Sequence, residues 1–322
     1  MKKIVGLLLM SVVVLPFLYW NFCGPVGNSK KEELFIVPKN QEGFDVVKKL
    51  AEGKFIKNKK LFQLLKSMFV LNIQVESGGY RLNSAMWAMD IVKKLNGKPD
   101  LLWISWSSCL RKEQIGEILA NTLGWGDEEL NKWNTVYTNT KPEYFEGVYY
   151  PDTYLIPRDE TGDKIATRLI GRFNEQFALY ADKYIKANIR WVTGLKIASL
   201  ISREAAGKAD MHLISGIIWN RLNDGMPLQI DATMQYTLGK NTAGQWWGSI
   251  DLKEKQNDSP YNSYLHKGLP PTPICSANID YIEAALNPDE TDCLFYLHGR
   301  NKQIHCAKTY EEHLENIETY LN

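Results

Sequence analysis

Thr193-Gly-Leu-Lys-Ile-Ala-Ser-Leu-Ile-Ser-Arg-Glu-Ala-Ala-Gly207 reads as an amphipathic helix, because Ile197, Leu200 and Ile201 recur at helical spacing. The next position in that series is Glu204, so the apolar stripe ends on a carboxylate. Burial disfavours the charged form of a carboxyl group and raises its pKa towards the range in which it can donate a proton near neutral pH. Glu204 therefore has the profile of a general acid. From this segment alone a second reading stays open, a helix-end glutamate that reaches out to water or pairs with a basic residue. Downstream, Asp210 is placed to cap a further helix, whose stripe Ile214, Ile217 and Ile218 brings Arg221 to the next position.

Working outward, Ile165 to Ala187 predicts one long helix, preceded by Lys112 to Leu123 and Asp127 to Val136. Between them, Glu146-Gly-Val-Tyr-Tyr-Pro-Asp-Thr-Tyr-Leu-Ile-Pro157 has the density of Gly, Pro and aromatic residues of a structured loop. Nearer the N-terminus, strands are predicted at Leu34 to Val37, Gly78 to Leu82 and Leu101 to Trp106, with helices around Gly43 to Ala51 and Lys59 to Phe69. Asp45-Val-Val-Lys-Lys-Leu50 returns as Asp90-Ile-Val-Lys-Lys-Leu95, which suggests two related small units. Near the C-terminus, Tyr296 and its neighbours read as a strand entering a turn at Gly299-Arg300. A two-residue hairpin loop there sets Cys293 opposite Cys306, and a disulfide between them is expected. Thr309 with Glu312 predicts a capping box on the last helix. The fold class is α+β, with a compact module over residues 34–106 suited to binding or positioning, then a mainly helical domain with a C-terminal hairpin over residues 107–322.

The formal charge is +1, from 38 basic and 37 acidic residues, so there is no basic footprint of the kind nucleic-acid binding needs. The cysteines at 23, 109, 275, 293 and 306 include no Cys-x-x-Cys pair and no histidine stands at zinc-ligand spacing, so neither a metal nor a cofactor is expected. Met1-Lys2-Lys3 precedes an almost unbroken apolar run from Ile4 to Phe22. Such a run, rising about 1.5 Å per residue, reaches across a hydrocarbon core of roughly 30 Å. It is longer than a usual signal-peptide core and lacks a small-x-small cleavage site close behind it. Residues 1–23 are read as a cytoplasmic N-terminus with a single transmembrane helix, residues 24–33 as a linker, and everything after Gly24 as lying outside. Lys2 and Lys3 set that orientation against Lys30 and Lys31 on the other flank.

Beyond Arg221 come Gly225-Met-Pro-Leu-Gln-Ile-Asp-Ala-Thr233, Ser259-Pro-Tyr-Asn-Ser-Tyr264 and Gly268-Leu-Pro-Pro-Thr-Pro273. Tyr261 and Tyr264 offer flat apolar surfaces and Asn262 offers amide hydrogen bonds, the means by which a protein grips a sugar ring. An ordinary ordered loop has the same composition. Asp231 reads equally as a substrate-binding carboxylate and as the N-cap of a short helix from Ala232 to Leu238. Arg221 either pairs with an acidic site residue or salt-bridges at the surface. No GxSxG, HExxH or Cys-His setting supports a peptide hydrolase.

Taken in order, Ala198-Ser-Leu-Ile-x-Arg-Glu204, Asn220-Arg-Leu222 with Gly225-Met226, Leu228-Gln-x-Asp231-x-Thr233, Ser259-Pro-Tyr-Asn-x-Tyr264 and Gly268-Leu-Pro-Pro-x-Pro273-Ile274 resemble the YceG-like endolytic murein transglycosylases. The likeness extends to Glu146-Gly and Pro151-Asp-Thr-Tyr154 upstream and to His305 and Glu312-His313 downstream, covering residues 34–316. It implies a LysM-like subdomain at 34–106, an anchor in the cytoplasmic (inner) membrane with the later domain on the extracytoplasmic side, peptidoglycan glycan strands as substrate, and peptidoglycan synthases as partners. Glu204 then matches the catalytic glutamate, at the second acidic position of the family's Ala-Ser-Ile-x-Glu-Lys-Glu segment. Arg221, Gln229, Asp231, Tyr261, Asn262, Tyr264 and His305 become the residues expected to bind the glycan.

The family's first acidic position is Ser202 here, which lies about 160° round the helix from Glu204. Ser107-Ser108 replaces the usual Glu-Gly before the helix at Lys112, and Ala277-Asn278 replaces the usual Pro-Gly after the proline-rich loop. The implied activity cleaves the β-1,4 bond between N-acetylmuramic acid and N-acetylglucosamine with Glu204 as acid and then base, leaving a 1,6-anhydromuramyl end. A hydrolase would need a second carboxylate roughly 5 to 9.5 Å away, for which Asp231 is the candidate. The alternative is a membrane-tethered, glycan-binding scaffold in which Glu204 is structural.

Overall fold

The computed structural model of the protein describes residues 20–68 and 75–321. The expected membrane span falls almost wholly on residues outside the described ones. Among the described residues, no helix is long and apolar enough to cross a membrane. The chain divides into two compact units, the first taking in the chain up to Ile104 together with Thr153–Glu160, the second Ser105–Asp152 and Thr161–Asn322.

The first unit is built on strands β1 (Glu33–Val37), β2 (Gly78–Leu82), β3 (Leu101–Ser105) and β4 (Thr153–Pro157), hydrogen-bonded in that order, with helices α1 (Val46–Glu52), α2 (Lys59–Met68) and α3 (Ala88–Asn96). β1 and β2 run antiparallel with Phe35 opposite Tyr80, and the strand period of two sends Phe35, Val37, Tyr80 and Leu82 into the core. The sequence echo lands on α1 and α3 with different caps. Asp45 caps α1 by accepting from the Lys48 amide at 3.0 Å, whereas Asp90 lies inside the first turn of α3. Both copies nonetheless bury a valine and a leucine, Val47 with Leu50 and Val92 with Leu95. β4 forms where a structured loop is expected; Tyr154 and Ile156 are buried in alternation, a strand signal masked by the surrounding prolines.

The second unit is mainly helical: α4 (Lys112–Leu123), α5 (Asp127–Lys132), α6 (Gly162–Phe177), α7 (Ala181–Lys186), α8 (Trp191–Glu204), α9 (Met211–Asn223), α10 (Asp231–Leu238), α11 (Ile279–Leu286), the hairpin β5 (Phe295–His298) with β6 (Ile304–Ala307), and α12 (Tyr310–Tyr320). α8 is its axis, burying Leu195, Ile197, Leu200 and Ile201 while packing against α9, α10 and α11. The long helix expected from Ile165 to Ala187 is broken between Phe177 and Ala181. The turn brings Tyr184 back against Phe177, with ring centroids 5.2 Å apart, and its hydroxyl donates to the Ile282 carbonyl at 2.6 Å. Tyr184 lies so close to Gly194 of α8 that any Cβ there would collide with the phenol ring.

Cys293 and Cys306 form the expected disulfide, but the hairpin register differs from the two-residue loop predicted. Tyr296, not Cys293, stands opposite Cys306, and the turn takes in residues 299–303 with Lys302 in the left-handed region at φ 63°. Cys293 reaches its partner from beyond the strand. A second disulfide, Cys109–Cys275, spans a sequence separation of 166.

Candidate active site

α8 stops at Glu204 because Ala205 turns extended, at φ −69° and ψ 129°. Glu204 thus stands at the helix end whose partial negative charge disfavours a carboxylate. Tyr296 Oη donates to Glu204 Oε2 at 2.6 Å. Burial pushes the Glu204 carboxyl above its ordinary range; Asp231's charge pushes the same way, while the Tyr296 hydrogen bond and the charges of Arg203 and His298 pull it back. Although some of the residue's surface remains accessible, its carboxyl is hemmed in by these groups, and desolvation dominates. The Tyr296 phenol is held well above its usual value by its own burial and by Glu204, so it stays a donor.

Strand alternation explains what the hairpin presents. Tyr296 and His298 share one face, and His298 Nε2 lies 2.7 Å from Asp210 Oδ2. Asp210 sits before α9 as expected, but its side chain reaches back, accepting from the Ala206 and Gly207 amides at 2.9 and 3.1 Å. Burial pushes Asp210 up, but His298 and those amides outweigh it and bring its pKa below the usual value. The loop that follows Glu204 is thereby pinned to the hairpin.

His305, expected to bind substrate, pairs with Leu297 on the opposite face of the hairpin. Its ring stacks on Tyr320 of α12 with centroids 3.5 Å apart, which places it in packing. Among the described residues, Arg221 pairs with no carboxylate. It is buried, and it donates from Nε to the Leu294 carbonyl at 2.6 Å and from Nη1 to the Pro227 and Leu228 carbonyls at 3.1 and 2.8 Å. It therefore ties the base of β5 to the stretch leading into α10. Asn262 is fully buried and spends its amide inside its own loop, on the Lys255 and Asn257 carbonyls, so it shapes the loop instead of facing a ligand.

Asp231 is the first residue of α10 and not its cap, which is Ile230. Its exposed carboxylate accepts from the Tyr264 hydroxyl and from Lys255 Nζ at 3.0 Å. Gln229 is exposed, strained at φ 55°, and fixed by its main-chain N–H, which donates to the Ser263 carbonyl at 2.9 Å. Tyr261 is half-buried, its hydroxyl 2.9 Å from Thr272 Oγ1. Glu204, Asp231, Tyr264 and Gln229 thus fall into one neighbourhood, joined by Tyr296 and Lys255, which the sequence reading had not singled out. The alternation of polar-tipped Tyr296 and His298 on a strand was the available signal for the former.

The three departures from the resembled pattern meet in space. Ser108 Oγ lies 3.2 Å from Ser202 Oγ and accepts from the Asn278 amide at 3.1 Å, beside the Cys109–Cys275 disulfide. They lie on the face of α8 away from Glu204. Another buried carboxylate, Glu146, lies in this unit, fully enclosed and pushed up to about 8 by burial. It accepts from the Lys112 amide at 3.1 Å, the Gly147 amide at 3.0 Å and Tyr236 Oη at 3.3 Å.

The helical unit of this α+β chain thus ends its central helix on a partly accessible carboxyl group whose pKa burial raises and whose Oε2 a phenol holds. The chain belongs to the YceG-like family, whose model matches residues 35–319. It is 35% identical over 190 residues to the endolytic murein transglycosylase of Bacillus subtilis, covering 59% of this chain and 51% of that protein. To the endolytic murein transglycosylase of Streptococcus pneumoniae R6 it is 32% identical over 183 residues, covering 55% of this chain and 32% of the other. The chain thus spans about half or less of the length of these curated relatives. A crystal structure of a yceG-like protein from Listeria monocytogenes superposes with a TM-score of 0.63 at 26% identity, covering 89% of this chain and 99% of that one.

Proposed function

We propose that the protein is an endolytic murein transglycosylase, anchored in the cytoplasmic membrane by residues 4–22 with its second unit outside, working beside the synthases that make new strands. The observation that carries this reading is Glu204, desolvated, raised in pKa and gripped by a single phenol donor. The names of the two relatives support it. Protonated Glu204 gives its proton to the glycosidic oxygen as the bond to C1 of N-acetylmuramic acid breaks. The resulting carboxylate, stabilised by Tyr296, takes the proton of the muramyl 6-hydroxyl as that oxygen attacks C1. Glu204 is restored, and the product is a 1,6-anhydro end with no water consumed. Asp231, held by Tyr264 and Lys255, is engaged as an anchored acceptor for sugar hydroxyls and is not free as a nucleophile.

The test is the product. Full-length protein incubated with purified glycan strands is expected to yield ends about 18 Da lighter than hydrolysed ones by mass spectrometry, one water by formula. Fragments of intermediate length would mark internal cleavage. Glu204→Gln is expected to give none of these products. Reducing ends would make the protein a hydrolase; binding without new ends would make it a scaffold.

A further inference from the structure

Arg203 immediately precedes Glu204 at the end of α8, and its guanidinium carbon lies 4.2 Å from the centroid of the Trp247 ring. Its Nε is buried without a hydrogen-bond partner, and the side chain makes no hydrogen bond or ion pair among the described residues. Arg203 is half-buried as a residue, and the arginines of this unit that are buried outright are occupied. Arg111 donates to Glu113 at 2.7 Å and to the Tyr236 carbonyl at 2.9 Å, and Arg221 to the main-chain carbonyls given above. A desolvated guanidinium without a counter-charge is unfavourable until an anion arrives. Glu204 is the acidic group that acts on Arg203, but the two form no ion pair among the described residues, and burial pushes the Glu204 carboxyl towards its neutral form.

The ring behind Arg203 is held in place. Trp247 sits in the left-handed region at φ 61°, a strained conformation for a bulky residue, and its indole donates to Gln114 Oε1 of α4 at 2.8 Å. Behind Trp247 the aromatic packing continues through the buried Tyr236, at 6.5 Å between centroids, to Tyr261 a further 5.0 Å on. A cation with one face on indole keeps its planar edge for a bidentate partner, and a carboxylate is the matching shape.

We propose that Arg203, backed by Trp247, is a carboxylate-binding subsite that reads the acid group borne by the muramoyl residue undergoing cleavage, a specificity that rests on the transglycosylase reading. In a glycan strand the N-acetylglucosamine units carry no carboxyl group. Each muramoyl unit carries a lactoyl one, free in a stripped strand and otherwise continued into a stem peptide with carboxylates of its own. An anion site one residue from the acid therefore sets the register, placing muramoyl and not glucosaminyl C1 at Glu204. Only that register supplies the sugar that closes to an anhydromuramyl end. Neutralising Arg203 also removes a charge that favours ionised Glu204, while Tyr296 and His298 on the hairpin and Asp231 on α10 continue to act on it.

Steady-state kinetics of the full-length protein on three strand preparations tests this: intact stem peptides, peptides removed to leave lactoyl carboxylates, and stripped strands whose lactoyl groups are converted to amides. Arg203→Gln is expected to raise KM about tenfold on strands bearing the recognised carboxylate and to match the wild type on the amides. A rise confined to stripped strands assigns the lactoyl group, and one confined to intact strands assigns the peptide. Arg203→Lys should recover part of the loss, and the pH limb where activity falls should move upward in Arg203→Gln. An equal loss on all three preparations overturns the subsite. If the wild type makes no anhydro ends at all, the transglycosylase reading fails separately. The subsite is then decided by NMR titration of N-acetylmuramic acid and a muramoyl peptide, each against its carboxamide. A preference for the acids that Arg203→Gln abolishes upholds it, and the absence of any preference overturns it.

Discussion

Glu146 and Glu204 are carboxyl groups of the same unit, both raised in pKa chiefly by desolvation and both given a tyrosine phenol, and they differ in exposure, in helix end and in the number of other donors. Glu146 is sealed in at the start of α4, where the Lys112 and Gly147 amides and the Tyr236 hydroxyl fill its lone pairs. It satisfies donors at a helix N-terminus that would otherwise be orphaned. Glu204 stands at a helix C-terminus, partly reachable, with one phenol on Oε2 and no hydrogen bond on Oε1 among the described residues. On the proposed reading, desolvation alone does not mark an acid catalyst. An oxygen left open towards a ligand, with few fixed donors on its partner, does.

The largest expected effect separates the two regions directly. Glu204→Gln should lower kcat for anhydro-end formation by on the order of 10³ or more, the scale of a positioned proton donor, with no loss of thermal stability. Glu146→Gln should keep kcat within about threefold, since it makes no contact that strengthens in the transition state. Parallel assays of both variants decide the matter; comparable losses would erase the distinction drawn above.

Much of this was legible in the chain. The stripe Ile197, Leu200, Ile201 put Glu204 at the edge of a core, because helix period alone fixes which face a residue occupies. The Cys293–Cys306 pair was found on a wrong register, since the turn length depends on Lys302 adopting a left-handed conformation that its sequence does not advertise. Cys109–Cys275 could not be seen, because nothing local links residues so far apart. Arg221 and Asn262 looked like ligand groups because polarity is visible in sequence and the direction of a side chain is not. Both turn inward to carbonyls, where an unpaired carbonyl would be costly.

A smaller effect tests the sealed region by pH. Burial pushes the Glu146 carboxyl up to about 8, above the unfolded value of about 4.3. Its contribution to stability is thus fully present below the unfolded pKa and is lost as pH rises through the folded one, at no more than about 1.4 kcal/mol per pH unit. Glutamine does not titrate. In urea unfolding followed by tryptophan fluorescence, wild-type stability minus that of Glu146→Gln should fall steadily from about pH 5 to about pH 9. Parallel curves would mean that Glu146 is ionised in its pocket, and the contrast with Glu204 would lose one side.

The smallest effect sharpens the open region. Tyr296→Phe removes the single phenol donor from Glu204 while keeping the ring, and kcat is expected to fall about tenfold, the worth of one hydrogen bond to a charged group. The sign of the pH change is fixed by which form the phenol favours. Its hydrogen bond stabilises the carboxylate and lowers the Glu204 pKa, so its loss raises that pKa further. A general acid must begin protonated, so the limb on which kcat falls with rising pH should shift to higher pH in Tyr296→Phe, even as the maximum rate drops. In the proposed mechanism the drop belongs to the second half of the reaction, where the carboxylate must persist long enough to take the 6-hydroxyl proton without its supporting donor. A pH–rate profile on peptide-bearing strands reads both quantities at once. A limb that stays in place while kcat falls would reduce Tyr296 to a packing element of the hairpin.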